Sequence, residues 1–290
     1  MEGFDLINYA DDNTPFACAE NLDNVVNILE KGASSLFKWV SQNFLKANPD
    51  KSFLVLSNSD NRMINIESQV IHNSSSRKLL GITIDNKLKF EDHINNLCNK
   101  ANLKLHALGR IANFMSTHKL KMIMKAFILS QFSYCPLIWM FHSRELNNRI
   151  NRTHERALRI AYKDSSSSFL ELLRKDDAVT IHHRNLQLLA VELYKVVNGL
   201  SPKIMEEIFQ TKENTHNLRD FVSINERNVK TVHYGQGSIS YLSPRIWRLV
   251  PDDIKGSPSI HVFKCKIKKW IPDGCPCRLC KQYIANLGFI

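Results

Sequence analysis

Nothing in the 290-residue chain is long and apolar enough to cross a bilayer. The most apolar run, Ala126 to Phe141, is broken by Ser130, Gln131, Ser133 and Pro136 and falls short of the ~18 uninterrupted apolar residues a span requires. It reads as a buried helix. The sequence also lacks an internal repeat, and no secretory leader precedes its seven cysteines, an odd number. A disulfide framework is therefore not expected, and the cysteines suit a reducing, intracellular compartment. What the chain does not lack is apolar material: 43% hydrophobic against 23% charged residues excludes a disordered tail and suffices for a sizeable core or two domains.

Charge is plentiful and unevenly placed. The formal net charge is +11, which suits a polyanionic partner, although a solvated basic surface has the same composition. Residues 1–95 carry 9 Lys and Arg against 13 Asp and Glu, whereas residues 96–290 carry 30 against 15. An acidic end followed by a basic remainder fits a protein that gathers divalent metal on carboxylates and grips phosphates elsewhere, because each phosphate contact contributes affinity through counterion release.

The coarse pattern is α+β. Phe4 to Asn8 and Pro15 to Ala19 read as strands around the acidic turn Ala10-Asp11-Asp12. A helix follows with a stripe of Val25, Val26, Leu29, Leu36, Phe37, Val40 and Phe44, ended by Asn48-Pro49-Asp50. Strands are expected at Ser52–Ser57, Met63–Ile66 and Leu79–Ile84, making a strand, strand, helix, strand and meander layer. From Glu91 onward helical spacing takes over, with helices expected to Ala112 and over Thr117–Gln131, Arg144–Tyr162, Ile181–Asn198 and Pro202–Phe209. Asp164-Ser165-Ser166-Ser167-Ser168 reads as a linker or loop. Arg149, Arg152, Arg156 and Arg159 fall on one helix at three- and four-residue intervals, and Lys119, Lys121 and Lys125 lie on the preceding one. Such rows can follow a phosphate backbone or face only water.

The segment Tyr9-Ala10-Asp11-Asp12 poses the central question, because adjacent acids between two strands are either an ordinary turn or ligands for metal. Phosphoryl transfer to a 3′ oxygen uses two hard cations about 4 Å apart, and Mg2+ prefers carboxylate oxygen. Acids fixed by flanking strands need little reorganisation to receive it. After this turn come a helix, then Asn48-Pro49-Asp50-Lys51-Ser52, then Leu79-Leu80-Gly81-Ile82-Thr83-Ile84-Asp85. This ordered series resembles the later motifs of reverse transcriptases, closest to those of jockey-like non-LTR (LINE-type) retrotransposons. Tyr234-Gly235, Pro244-Arg245-Ile246-Trp247 and Cys275-Pro276-Cys277-Arg278-Leu279-Cys280 look like the C-terminal region of such polyproteins.

The resemblance implies a partial polymerase palm, an antiparallel sheet plus helix, over residues 1–90. A mainly helical thumb would occupy 91–164, and a small helical and cysteine-containing C-terminal region 165–290. It implies that Asp11 and Asp12 hold Mg2+, with Mn2+ as a substitute, that Tyr9 lies beside the primer end, and that Asn48 and Lys51 belong to a segment protonating pyrophosphate. Leu80-Gly81 would be a glycine-containing strand gripping the primer, and the arginine row would hold the template–primer duplex. The partners implied are an RNA template and a DNA primer, with no membrane, and the place of action is the nucleus after a cytoplasmic phase. The family's earlier palm aspartate and glycine-rich segment have no counterpart here, since only eight residues precede Tyr9. The expectation is a C-terminal fragment of an RNA-directed DNA polymerase, a nucleotidyltransferase inactive alone. The alternative is a noncatalytic nucleic-acid-binding protein derived from a retrotransposon.

Cys275, Cys277 and Cys280 form a C-x-C-x-x-C cluster whose thiolates suit Zn2+, with Cys265 or His261 as the expected fourth ligand. A second C-x-x-C or paired histidines would have completed a stronger signature. Neighbouring Lys264, Lys266, Lys268, Lys269, Arg278 and Lys281, with Trp270 and Tyr283, suit phosphates and unpaired bases. Adjacent His182 and His183 point in different directions on a helix and have no cysteine or carboxylate at i+4, so they are expected at the surface.

Overall fold

A computed structural model describes residues 4–46, 48, 52–57, 62–66, 69–212, 223–232 and 234–280. The chain is α+β and divides into two compact units, residues 1–92 and 93–290.

In the first unit, β1 (Phe4–Tyr9) and β2 (Asp12–Ala17) pair antiparallel, Phe4 opposite Ala17 and Tyr9 opposite Asp12. Helix α1 (Leu22–Gln42) starts at Asn21, whose side chain accepts the Asn24 N–H at 2.8 Å and so satisfies one of the orphan donors of the first turn. The hairpin lies on α1 because Gly32 has no side chain: a Cβ there would stand 2.0 Å from the Phe4 ring. Strands β3 (Met63–Ile66) and β4 (Gln69–His72) form a second ribbon. Its alternation turns Ile64 and Ile66 inward against Leu29, Ala33, Leu54 and Leu56. Glu30 on α1 accepts the Asn65 N–H at 2.7 Å and holds the ribbon to the helix. A third ribbon pairs β5 (Ser76–Leu79) with β6 (Ile82–Asp85).

Three expectations fail here. The strand expected over Ser52–Ser57 is reduced to a single parallel bridge between Leu54 and Asn73, and the Leu56 N–H is satisfied by the Asn73 side chain at 2.8 Å instead of by a ladder. The strand expected over Leu79–Ile84 is broken by a turn at Leu80 and Gly81, with φ of 45° and 88°. Phe44, placed on the buried stripe of α1, is 99% exposed, because the helix ends at Gln42 and Phe44 takes φ 58°. Among the described residues the strands form separate two-stranded ribbons and not a continuous layer.

The second unit is helical. Its helices are α2 (Glu91–Ile111), α3 (Thr117–Ile123), α4 (Pro136–Trp139), α5 (Arg144–Tyr162), α6 (Phe169–Lys175), α7 (Ile181–Val197), α8 (Lys203–Ile208), α9 (Ile239–Arg248), α10 (Asp252–Lys255) and α11 (Ile260–Ile267). A short ribbon pairs β7 (Thr211–Lys212) with β8 (Ser223–Ile224). The helices at 91–111, 144–162, 181–197 and 203–208 fall where apolar spacing put them. The run from Ala126 to Phe141, expected as one buried helix, is instead a π turn (Met124–Ile128), a 3-10 turn (Leu129–Phe132) and α4. Cys135, at φ 42° immediately before Pro136, interrupts it, since a residue preceding proline avoids the helical region. The serine-rich segment is a tied loop: Asp164 Oδ1 accepts the N–H groups of Ser166 and Ser167 at 3.1 and 2.9 Å, and Ser168 with Glu171 forms a capping box that opens α6.

Helix α7 organises the core. Leu186, Leu189, Ala190 and Leu193 are fully buried on it, and it packs against α4, α5, α9 and α11. Tyr194 stacks on Phe263 at 4.3 Å, and its hydroxyl donates to the Ser257 carbonyl at 2.7 Å. Gln187 donates to the carbonyls of Lys268 and Trp270 at 3.1 and 2.7 Å. Each bond satisfies a buried polar group that would otherwise be costly, so the chain beyond α11 is bound to α7 through side chains as well as apolar contact. No helix among the described residues is long and apolar enough to cross a membrane.

Candidate functional site

Two groups of ligating side chains stand out, one in each unit. In the first, Asp11 closes the turn between β1 and β2, and Asp12 opens β2 opposite Tyr9. Both acids are exposed, and Tyr9 is 66% exposed beside them. Ala10, which begins the two-residue turn, takes φ 53°. A left-handed conformation costs a non-glycine residue about 1–2 kcal/mol, and here it is held by six cross-strand pairs. Asn13 Nδ2 donates to the Asp11 backbone oxygen at 3.4 Å. Among the described residues neither carboxylate has a cation or donor, so their oxygen lone pairs are available to a hard metal ion.

The other residues expected to serve polymerase chemistry are dispersed differently. Lys51 lies outside the described residues. Asn48 is exposed, and its carbonyl accepts from the Ser52 hydroxyl at 3.3 Å. Leu80 and Gly81 form the tip of the β5–β6 hairpin and not part of a strand; two successive positive φ values are what a tight two-residue hairpin turn demands, and Gly supplies one without strain.

The arginine row of α5 is largely engaged within the protein. Arg149 donates to Asn95 and Asn99 on α2 at 2.9 and 3.0 Å. Arg156 donates to Asn102 at 3.3 Å. Arg159 pairs with Glu155 at 2.6 Å and donates to the Ser165 carbonyl at 2.8 Å. The asparagines recur at i, i+4 and i+7 on α2, one face of a helix, and form a ladder matching the arginines. Arg152 is exposed and, among the described residues, has no such partner. Lys121 and Lys125, also expected to face a phosphate backbone, instead pair with Asp176 at 2.9 and 3.5 Å, and the Asp176 side chain is 1% exposed. Tyr162 donates to the same carboxylate at 2.9 Å. The Lys121 ammonium is held above its ordinary range by hydrogen bonding with Tyr162 and then Asp176.

The second group lies in the helical unit. Cys275, Cys277 and Cys280 are all buried, and the histidine that joins them is not the expected His261. His182, in the first turn of α7, places Nε2 3.3 Å from Cys277 Sγ. The ligand atoms of His182, Cys277 and Cys280 lie within 4.8 Å of one another. Cys275 is buried in the same cluster, and the Cys280 N–H donates to Cys277 Sγ at 3.4 Å. Hydrogen bonding with Cys275 and then Cys280 holds the Cys277 thiol below its ordinary range. The hydrogen bond to Cys277 correspondingly pushes Cys275 up to about 12.

His182 is therefore buried, at 5% exposure, and not a surface residue as its adjacency to His183 suggested. A signal was present: His182 shares a helical face with Leu186, Leu189 and Leu193, at i+4, i+7 and i+11. Cys265 and His261, the expected fourth ligands, are exposed and face each other at 3.8 Å one turn apart on α11. Trp270 is 7% exposed and belongs to the core, so it offers no open face for base stacking. Lys281 and Tyr283 lie outside the described residues. Close by, His142 Nδ1 donates to the Trp139 carbonyl at 2.8 Å, and burial lowers this imidazole to about 4, leaving it neutral near pH 7.

Comparison with family models, curated proteins and solved structures finds no match to this chain.

Proposed function

We propose that this chain is part of an RNA-directed DNA polymerase of the non-LTR retrotransposon type, in which Asp11 and Asp12 supply carboxylate oxygens to the divalent metal of nucleotide addition. The observation that carries this reading is the turn itself: two exposed, unpartnered acids at the tip of a paired hairpin, preceded by a residue held at φ 53°. Mg2+ or Mn2+ bound there would supply Lewis-acid charge at the attacking 3′ oxygen and the phosphoryl oxygens. The chain's own part is to fix the two carboxylates on rigid strands and to present the Tyr9 ring beside them. Arg152, Lys119 and the exposed Lys264, Lys268 and Lys269 are among the cations placed to meet phosphates. Action on chromosomal DNA, hence in the nucleus, goes with this reading.

A second reading, a nucleic-acid-binding protein without catalysis, is favoured by the excess of positive charge in residues 96–290, well away from the acids in sequence. The two are separated by Mn2+ titration of the full chain, followed by electron paramagnetic resonance, with and without an RNA-template/DNA-primer hybrid. The polymerase reading expects Mn2+ binding that tightens with hybrid and is lost in Asp11→Asn with Asp12→Asn. Hybrid binding that ignores both metal and these substitutions would establish the second reading and remove the first.

A further inference from the structure

The His182–cysteine group has a chemistry independent of the polymerase reading. Three ligand atoms from two distant parts of the chain, one from the His182 imidazole at the start of α7 and the sulfurs of Cys277 and Cys280, lie within 4.8 Å of one another in the core, and Cys275 is buried in the same cluster. Thiols are weak hydrogen-bond donors, so gathering Cys277 and Cys280 at one buried imidazole contributes little if filling space were the only role. The separations suit a cation. In a tetrahedral zinc site with Zn–S of about 2.3 Å and Zn–N of about 2.0 Å, neighbouring S and N atoms stand roughly 3.5 Å apart, and His182 Nε2 is 3.3 Å from Cys277 Sγ.

Three further features fit a bound metal. The Cys280 N–H already points at Cys277 Sγ, a bond that stabilises a thiolate. Gly274, at φ 68°, lets the chain turn sharply immediately before Cys275. His182 is the second residue of α7, whose N-terminus carries the positive end of the helix dipole and favours the net negative charge of three thiolates and one imidazole around a divalent ion.

We propose that His182 Nε2 and the thiolates of Cys277 and Cys280 bind one Zn2+, with the neighbouring Cys275 thiolate drawn in as the fourth ligand, and that the ion fastens the C-terminal segment to the first turn of α7. Binding releases the three thiol protons to solvent, and once Cys275 is drawn in all four positions are protein ligands, so no site is open to water or substrate. The ion is structural. Because the cysteines belong to the same buried cluster as Leu186, Trp247 and Phe263, its loss should loosen the packing of α7 against α9 and α11.

The test is metal analysis of the full chain purified under reducing conditions, with Co2+ replacement as a spectroscopic probe. One zinc per chain is expected, and cobalt should give a thiolate charge-transfer band with tetrahedral ligand-field bands in the visible. His182→Phe should lose the metal to a chelator that leaves the wild type loaded. His182→Cys, which retains four ligands should the first variant fail to fold, should keep the metal, strengthen the charge-transfer band and move the ligand-field bands to lower energy. His261→Ala and Cys265→Ala should change nothing. A wild-type chain that is folded and takes up neither zinc nor cobalt would overturn the proposal. So would a His182→Cys cobalt spectrum identical to wild type, or metal loss in His261→Ala or Cys265→Ala.

Discussion

The two units of this chain solve the burial problem with unequal success. The first places six apolar residues in its buried cluster and leaves Ile7, Tyr9, Phe16, Trp39, Phe44 and Phe53 each more than 40% exposed. The second surrounds α7 with a cluster of more than twenty buried residues. A helix satisfies its own backbone and needs only one apolar stripe covered, whereas a strand depends on neighbours for its hydrogen bonds, and a two-stranded ribbon is marginal alone. The difference lies in the core and not in the exposed surface: the helices pool their buried residues around α7, the ribbons share few, and both units expose large apolar side chains, such as Trp39 on α1 and Leu103 on α2.

This contrast is broken most forcefully from the helical side. Phe263→Ala removes a fully buried ring stacked on Tyr194 and Trp247 and should cost about 3–5 kcal/mol. Denaturant unfolding followed by tryptophan fluorescence should show it, while amide exchange in β1 to β6 stays at wild-type rates. Exchange that accelerates equally in both units would show them to be one cooperative body.

Acid should come next in size, and should also divide the units. His154 on α5 is buried with neither ring nitrogen hydrogen-bonded, and burial, then Arg184, lowers it to about 4, with Asp176 opposing. Its folded value lies below the unfolded value of about 6.5, so the folded state favours the neutral ring. Stability is fully present above the unfolded value and is lost as pH falls from about 6.5 towards 4, by up to roughly 1.4 kcal/mol per pH unit. His72, the histidine of the first unit, is exposed. Between pH 7 and 4 the melting temperature of wild type should fall relative to that of His154→Leu; parallel curves would show that His154 does not carry the effect.

A smaller effect is expected at the contact of hairpin and helix. Gly32→Ala gains up to about 1 kcal/mol of helix propensity but displaces the Phe4 ring, whose burial is worth roughly 2–3 kcal/mol. A net loss of about 1–2 kcal/mol, confined to the first unit by amide exchange, is expected. The least costly pair concerns α5. Arg149→Ala should destabilise the second unit by about 1 kcal/mol through its lost bonds to Asn95 and Asn99. Arg152→Ala should leave the melting temperature unchanged and weaken binding to an RNA–DNA hybrid, as read by fluorescence anisotropy. Equal effects of both on binding would make the asparagine ladder irrelevant to which arginines are free.

Legibility in the sequence followed the range of the interaction. The spans of α2, α5 and α7 were readable because a helical stripe is written in spacings of three and four residues. The Asp11–Asp12 hairpin was readable because two apolar runs flank a polar turn. The Leu80–Gly81 turn was missed because the run Leu79-Leu80-Gly81-Ile82 is apolar throughout and hides the break. Helix α6 was missed because its start lies in a serine tract, where Ser168 acts as a cap and not as a linker.

By itself the sequence determined the partition of charge, the helical faces, the acidic turn and the presence of three closely spaced cysteines. Tertiary structure decided which cations remain free, since the partners of Arg149, Arg156 and Lys121 come from other helices. It also decided that His182, and not His261, meets Cys277 across 95 residues. Periodicity records only which side of an element turns inward; what it meets there depends on how the helices pack around α7.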